Sequence, residues 1–387
     1  MCRRPFFRCA TALLAALLAV AGTARAEPDM DLPRLVATHV RDLLPADGLS
    51  GLAVVVRFEG RTSFFNFGVA DGTSRRPITS DLLFNLGSLG KVFDTTLLAQ
   101  AVGRGELGFD DPVAKYVTEL RQGGDIRRVT LGQLVTYTSG LVMPQDHPPW
   151  PQNRFTQPEF LRYLEDWTAD AQHQPGKQSI YSHAGFVLLH LALERRYGMP
   201  IWQLMDERLL RPLGLHATVL PPPGPDNPRG ELDAEQKSRA VQGYTEDGER
   251  TGEPGDIQGY YLWAGTGQMF STPRDMAVFL AANLGEGGVE PSLHEAMTVA
   301  QRGVFPLDRC VTQALAWETR ASTPKIVDKY GGLNDATAYI GLMPEKHIGV
   351  VLLANRGSQN LGRAGRDLML ALAQREGDAV HACSPGE

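Results

Sequence analysis

Ser88 and Lys91 stand three residues apart in Phe84-Asn85-Leu86-Gly87-Ser88-Leu89-Gly90-Lys91-Val92-Phe93, where an apolar helical pattern begins. On a helix that spacing puts both side chains on one face, one turn apart. A serine hydroxyl is a weak nucleophile until a neighbouring base takes its proton. A lysine that is partly desolvated and close to other cations has a lowered pKa and can serve as that base. Ser88 is therefore a candidate acyl-transfer nucleophile with Lys91 beside it. The mundane rival is an ordinary helix N-cap serine followed by a surface lysine.

Two later segments extend the pattern. Tyr181-Ser182-His183 precedes the apolar run Phe186-Val187-Leu188-Leu189, and Lys329-Tyr330-Gly331-Gly332 opens a strand-like stretch that runs on to Asn355. In this order, S-x-x-K, Y-S-x and K-x-G resemble the motifs of the class C serine β-lactamases and the wider penicillin-binding-protein-like esterases and peptidases. Segments 105–113, 134–141, 211–215 and 271–276 are similar to recurrent segments of that family, so the resemblance covers nearly all of the chain after its first residues.

The resemblance implies an α/β (α+β) two-lobe serine β-lactamase/penicillin-binding-protein-like fold, with an antiparallel sheet built from both termini and a mostly helical lobe. It implies that Ser88 attacks a lactam carbonyl while Lys91 and Tyr181 move protons. Two nearby ammonium groups would lower the phenol pKa of Tyr181 and suit it to act as base. Lys329 would supply positive charge to Tyr181 and to a substrate carboxylate. The backbone N–H groups of Ser88 and Gly332 would form the oxyanion hole, with Gly331 and Gly332 leaving the strand edge bare. Placing the third motif on the family pattern brings Asn360 and Arg363 onto the positions that recognise a substrate carboxylate, a task suited to the planar fork of arginine. Gln145 matches a residue that contacts the substrate amide. Each has a plainer reading: a core tyrosine, a solvated edge lysine, a glycine turn, a surface arginine at a helix start.

Two positions depart from the family pattern. His183 stands where class C enzymes usually have asparagine, and Tyr330 where they have threonine. Both enlarge the side chain beside the substrate, and histidine titrates near neutrality.

The first residues read as an export signal, 1–26: Arg3, Arg4 and Arg8 precede the apolar run from Ala10 to Ala21, and Ala24-Arg25-Ala26 fits a cleavage site. The run is shorter than the roughly 20 residues a membrane span needs, and Cys2 and Cys9 precede it, which does not fit a lipid attachment site. Cleavage would remove four arginines and take the formal charge from −6 to −10, which disfavours nucleic acid as a partner. Cys310 and Cys383 would then be the only cysteines. They either pair in an oxidising compartment or stay as separate thiols.

Hydrophobic periodicity predicts a helix over 32–43, strands over 51–57 and 63–68 joined by Glu59-Gly60, and a helix from Ser88 to Gly103. Helix and loop follow to about residue 252, broken by proline clusters at 144–151 and 221–228. Helices at 273–283 and 362–375 bracket strands at 339–343 and 348–353. The expected organisation is a catalytic domain over 27–387, with a sheet lobe from 27–85 and 255–387, a helical lobe from 86–254, and the site between them.

Other chemistries fit poorly. Gly87-Ser88-Leu89-Gly90-Lys91 lacks the first glycine of a P-loop, Gly265-Thr266-Gly267 lacks the third glycine of a dinucleotide site, and no H-E-x-x-H occurs. His183 and His190 do not have usual ligand spacing, so no cofactor is expected; zinc through His183 is the alternative. The reading is a monomeric periplasmic serine hydrolase that opens β-lactam rings through an acyl-enzyme on Ser88. The alternatives are an esterase or D-amino-acid peptidase acting on acyl substrates, and a non-catalytic penicillin-binding-type cell-wall binding protein.

Overall fold

The computed structural model describes residues 31–141, 156–224, 230–257 and 267–383. Gln145, the export signal and the first proline cluster lie outside them. The strands at the two ends of the chain are nearly continuous apolar runs: all seven residues of Ile348–Ala354 and of Thr337–Met343 are buried, as are Gly51 to Val56. Strands buried on both faces read this way because both faces carry a core.

These runs make the centre of a nine-stranded antiparallel sheet. Its order is Arg76–Pro77, Arg61–Asp71, Gly51–Phe58, Ile348–Ala354, Thr337–Met343, Ile326–Gly332, Glu318–Arg320, Val311–Gln313 and Phe305–Pro306. The N-terminal hairpin joins the C-terminal strands where Leu52 faces Ala354 and Arg57 faces Gly349. Side chains then alternate between two cores. Val55, Ile340 and Val351 enter the large core shared with the helical region, whereas Val54, Tyr339 and Leu352 pack under Leu32–Val40 and Leu361–Arg375 on the opposite face.

The expected helix over 32–43 is an α-helix only to Val40, with a 3-10 turn over Arg41–Leu43. The Glu59-Gly60 turn forms as read, with both residues at positive φ, as the tight primed turns of hairpins require. Strand Arg61–Asp71 is longer than expected: polar Arg61, Thr62 and Asp71 mask its ends, and buried Val69 and Ala70 continue it past Gly68. Helices 131–135, 157–166 and 183–197 fill the middle of the chain, the first two closed at their N-termini by reciprocal capping boxes at Thr130 and Thr156.

Strand Ile326–Gly332 is fixed from its far side. Buried Asp328 accepts from Arg320 Nε at 3.0 Å, from Arg366 at 2.8 Å and from the Tyr339 hydroxyl at 3.1 Å. A buried carboxylate needs such partners to be tolerated. Because side chains alternate, anchoring Asp328 on one face commits Lys329 to the other.

Cys310 and Cys383 pair, with Cα atoms 5.6 Å apart, tying the C-terminal tail to the outer edge of the sheet. The bond spans a sequence separation of 73 residues, and closing a loop of that length stabilises by at most about 4 kcal/mol on the chain-entropy account. Replacing both cysteines with serine should lower the urea midpoint, yet leave turnover intact because the bond is remote from Ser88. A midpoint that does not move would show that the tail adds no stability.

Candidate active site

The helix predicted to begin at Ser88 begins instead at Lys91. Ser88 lies in a 3-10 turn, Gly87–Gly90, that feeds helix Lys91–Gly103. The tighter turn has a visible cause. Leu86 N–H donates to the Met269 carbonyl at 2.9 Å and Gly87 N–H to Asn85 Oδ1 at 2.9 Å, so the chain enters the helix suspended from the short ladder of Phe84–Asn85 with Phe270–Ser271. Gly87 sits at φ +50°, a conformation that favours glycine.

On its other side the turn meets strand Ile326–Gly332, backbone against backbone. A Cβ on Gly331 would lie 2.2 Å from the Leu86 carbonyl oxygen and 2.6 Å from Leu89 N, and one on Gly87 would lie 3.2 Å from Gly332 N. Glycine at 331 is therefore a packing requirement. The N–H groups of Ser88 and Gly332 belong to these two apposed segments, as the oxyanion-hole expectation asks. The Tyr330 ring lies against Gly332, its Cε1 3.0 Å from where a Cβ would be, and the residue is 43% exposed. It forms a wall beside that point.

Lys91 Nζ donates to Ser88 Oγ at 3.1 Å, and the Tyr181 hydroxyl is hydrogen-bonded to the same oxygen. Lys91 is buried, resting 5.3 Å from the centre of the Phe186 ring and 5.5 Å from that of Tyr181. Lys329 is buried too, contrary to the solvated-edge reading, and its Nζ stands 5.5 Å from the Tyr181 ring centre. Tyr181 thus lies between two ammonium groups. Nearly half of its surface (47%) is exposed, while its hydroxyl meets Ser88 Oγ and both ammonium groups stand close to its ring. Burial opposes the phenolate, yet the charges of Lys91 and Lys329 and the bond from Ser88 outweigh it and hold the phenol below its usual pKa.

His183 opens helix His183–Tyr197 with its ring edge-on to Tyr181, centres 5.2 Å apart. Burial, with the like charges of Lys91 and Lys329, pushes its pKa well down, so the imidazole is neutral at neutral pH. The same two cations oppose a zinc ion there. Among the described residues no three His, Cys, Asp or Glu side chains gather to hold a metal.

Asn360 and Arg363 occupy other roles in this structure. Asn360 caps helix Leu361–Arg375 by accepting from Arg363 N–H at 3.4 Å. The Arg363 side chain is 78% exposed, its Nε 3.8 Å from Asp367.

Sequence reading missed Tyr137. Its buried hydroxyl accepts from Lys329 Nζ at 3.1 Å, its ring lies 4.8 Å from that of Tyr181, and its carbonyl accepts from Ile180 N–H at 2.7 Å. It orients both Lys329 and the segment that carries Tyr181. Burial and the nearby Tyr181, Glu318 and Asp94 hold its own pKa well above the usual value, so it stays a neutral phenol. Its φ of +58°, uncommon for a tyrosine, marks a strained functional loop. The only sequence signal was its place in segment 134–141.

The family model described as Beta-lactamase matches residues 34–374. A Pseudomonas fluorescens protein named Beta-lactamase is 28% identical over 366 residues, covering 86% of this chain and 96% of that one. Among solved structures, a class C β-lactamase from Rhodobacter sphaeroides superposes with a TM-score of 0.74 at 26% identity, covering 89% of this chain and all of its own. A protein titled β-lactamase/D-alanine carboxypeptidase, from Pseudomonas syringae, gives 0.76 at 25% identity, covering 89% of this chain and 99% of that one.

The close approach at Gly331 gives a direct test. Gly331→Ala should push the strand away from the Ser88 turn and lower kcat/KM by a hundredfold or more, about 2.7 kcal/mol of transition-state stabilisation. A folded variant, checked by circular dichroism, with near-normal turnover would show that the approach is not needed for catalysis.

Proposed function

The chain belongs to the β-lactamase family and is a class C-like serine β-lactamase-type hydrolase, and from that premise we propose that it works as a periplasmic monomer through an acyl-enzyme on Ser88. The carrying observation is the convergence of Lys91 Nζ and the Tyr181 hydroxyl on Ser88 Oγ. As the lactam carbonyl arrives, Tyr181 takes the Ser88 proton and Lys91, already donating to Ser88 Oγ, steadies the developing charge. Ser88 Oγ bonds to the carbonyl carbon, and the N–H groups of Ser88 and Gly332 receive the oxyanion. The lactam C–N bond then breaks, the nitrogen taking the proton from Tyr181. Water attacks the ester with Tyr181 again as base, and Ser88 leaves with its proton restored. Lys329 supports Tyr181 throughout, with its ammonium held by Tyr137. His183, neutral, lines the site as a hydrogen-bonding group.

Localisation rests on the N-terminal signal-like segment. The disulfide suits an oxidising compartment, and no helix among the described residues is long and apolar enough to cross a membrane. A second reading, hydrolysis of acyl esters or D-amino-acid peptides, is favoured by the likeness to the Pseudomonas syringae protein titled β-lactamase/D-alanine carboxypeptidase. Nitrocefin turnover against that of a short acyl ester separates the two.

Incubation with a β-lactam panel followed by intact-mass analysis should show one adduct, absent in Ser88→Ala, and that variant should lose turnover while remaining folded. Activity within about tenfold of wild type, a loss under roughly 1.4 kcal/mol, removes Ser88 as nucleophile.

Removing one of the two ammonium groups beside Tyr181 has a signed consequence. Lys329→Met should raise the Tyr181 pKa and move the acidic limb of the kcat/KM profile to higher pH. A limb that stays in place takes Tyr181 out of proton transfer.

His183→Asn with Tyr330→Thr should redistribute kcat/KM among penicillins, cephalosporins and carbapenems by more than about tenfold, the scale of one pocket contact. A uniform change across substrates would instead assign both residues to the proton-transfer machinery.

A further inference from the structure

Behind the nucleophile, two helices run side by side with matched stripes. Ser88, Lys91 and Asp94 follow at three-residue steps, and on helix His183–Tyr197 lie His183, Phe186 and His190. Phe186 faces Lys91. One turn deeper, His190 Nε2 meets Asp94 Oδ1 at 2.8 Å, both side chains almost fully enclosed, at 4% and 9% exposure. The other imidazole nitrogen, Nδ1, is buried without a hydrogen-bond partner among the described residues. Lys91, Asp94 and His190 also share a cavity of about 10 Å³ with Gly87, Gly267 and Met269, roughly the room one water molecule needs. A pure packing role accounts poorly for an acid–base pair here, since a buried ionisable pair is rarely better for stability than apolar side chains of the same shape.

We propose that Asp94 and His190 are positioning residues for β-lactam hydrolysis, a buried hydrogen-bonded pair that acts on Lys91 from one turn below and, through the proton that His190 gains and loses, ties acylation to pH. The inference rests on the reading of Ser88 and Lys91 given above. A protonated His190 places a like charge behind the ammonium that donates to Ser88 and supports Tyr181. When His190 releases its proton that opposition is gone, and the ammonium acts on Ser88 and Tyr181 unopposed.

The surroundings leave few competing titrations. Asp94 and Lys91 reach His190 from the facing helix, and Glu194 from its own. Helices Leu131–Val135 and Ile201–Met205, packed against it, bring no charged side chain, and turn Val113–Lys115 brings only Lys115, held at the surface by Asp111. Burial depresses the His190 pKa, but Asp94 and Glu194 outweigh burial and raise it above that of a free imidazole.

The test is the pH dependence of kcat/KM and of the acylation rate in the full chain, for wild type, His190→Gln and Asp94→Asn/His190→Gln, with the Ser88 adduct followed by mass. Wild type should show a rise of about threefold or more with pH, separate from the Tyr181 limb, a size suited to partly screened charges. His190→Gln, which removes the titrating imidazole, should hold the alkaline level throughout. The neutral double variant should lack the rise as well and, as a hydrogen-bonded pair of similar shape, should fold. A wild type without the rise, or a double variant that keeps it, overturns the proposal while the adduct persists. Failure of wild type to form any Ser88 adduct overturns the nucleophile assignment and the inference with it.

Discussion

One contact sets the terms for the rest of the site: the apposition of strand Ile326–Gly332 and the turn Gly87–Gly90 at a distance that admits no side chain between them. The turn brings Ser88 and Lys91 from the helical region, and the strand brings Lys329 and Gly332 from the sheet. The approach is possible because Gly331 presents bare backbone to Leu86 and Leu89. It is held from behind by Asp328, whose partners Arg320, Tyr339 and Arg366 come from two neighbouring strands and the last helix. The far face of the sheet thus contributes to the site without touching it.

The electrostatics follow from that geometry. Two buried lysines flank one tyrosine, and burial works against the charged forms of Tyr181 and Lys329. Burial, helped by Lys91, lowers Lys329, and Tyr181 partly restores it, so the charges of Tyr181 and Lys329 are conditional on each other. Such a pair titrates as a unit. Tyr137 contributes a neutral hydroxyl that orients Lys329 without adding charge. The same logic explains why His183, where asparagine is usual, stays neutral: two cations already occupy its neighbourhood.

Much of this was legible in the chain. Ser88, Lys91, Tyr181 and Lys329 announce themselves by order and spacing, and the central strands by continuous apolar runs that only a sheet covered on both faces can bury. What the sequence concealed has physical reasons. The 3-10 turn at Ser88 depends on bonds to Met269, almost two hundred residues away. Tyr137 works through a left-handed backbone that spacing does not encode. Asp94 and His190 look like ordinary helix residues until two helices align their stripes.

The pairing of Gly51–Phe58 with Ile348–Ala354 has a consequence for how the protein comes into being. During synthesis the N-terminal hairpin waits, one edge unpartnered, until nearly the whole chain has emerged, because the strand it pairs with is almost the last element made. Such long-range pairing makes for slow, late assembly. Ser88 comes from the first quarter of the chain and Lys329 from the last, so a chain cut before Ile348 lacks the strand that joins the two ends of the sheet and with it the support that holds Lys329 against the Ser88 turn.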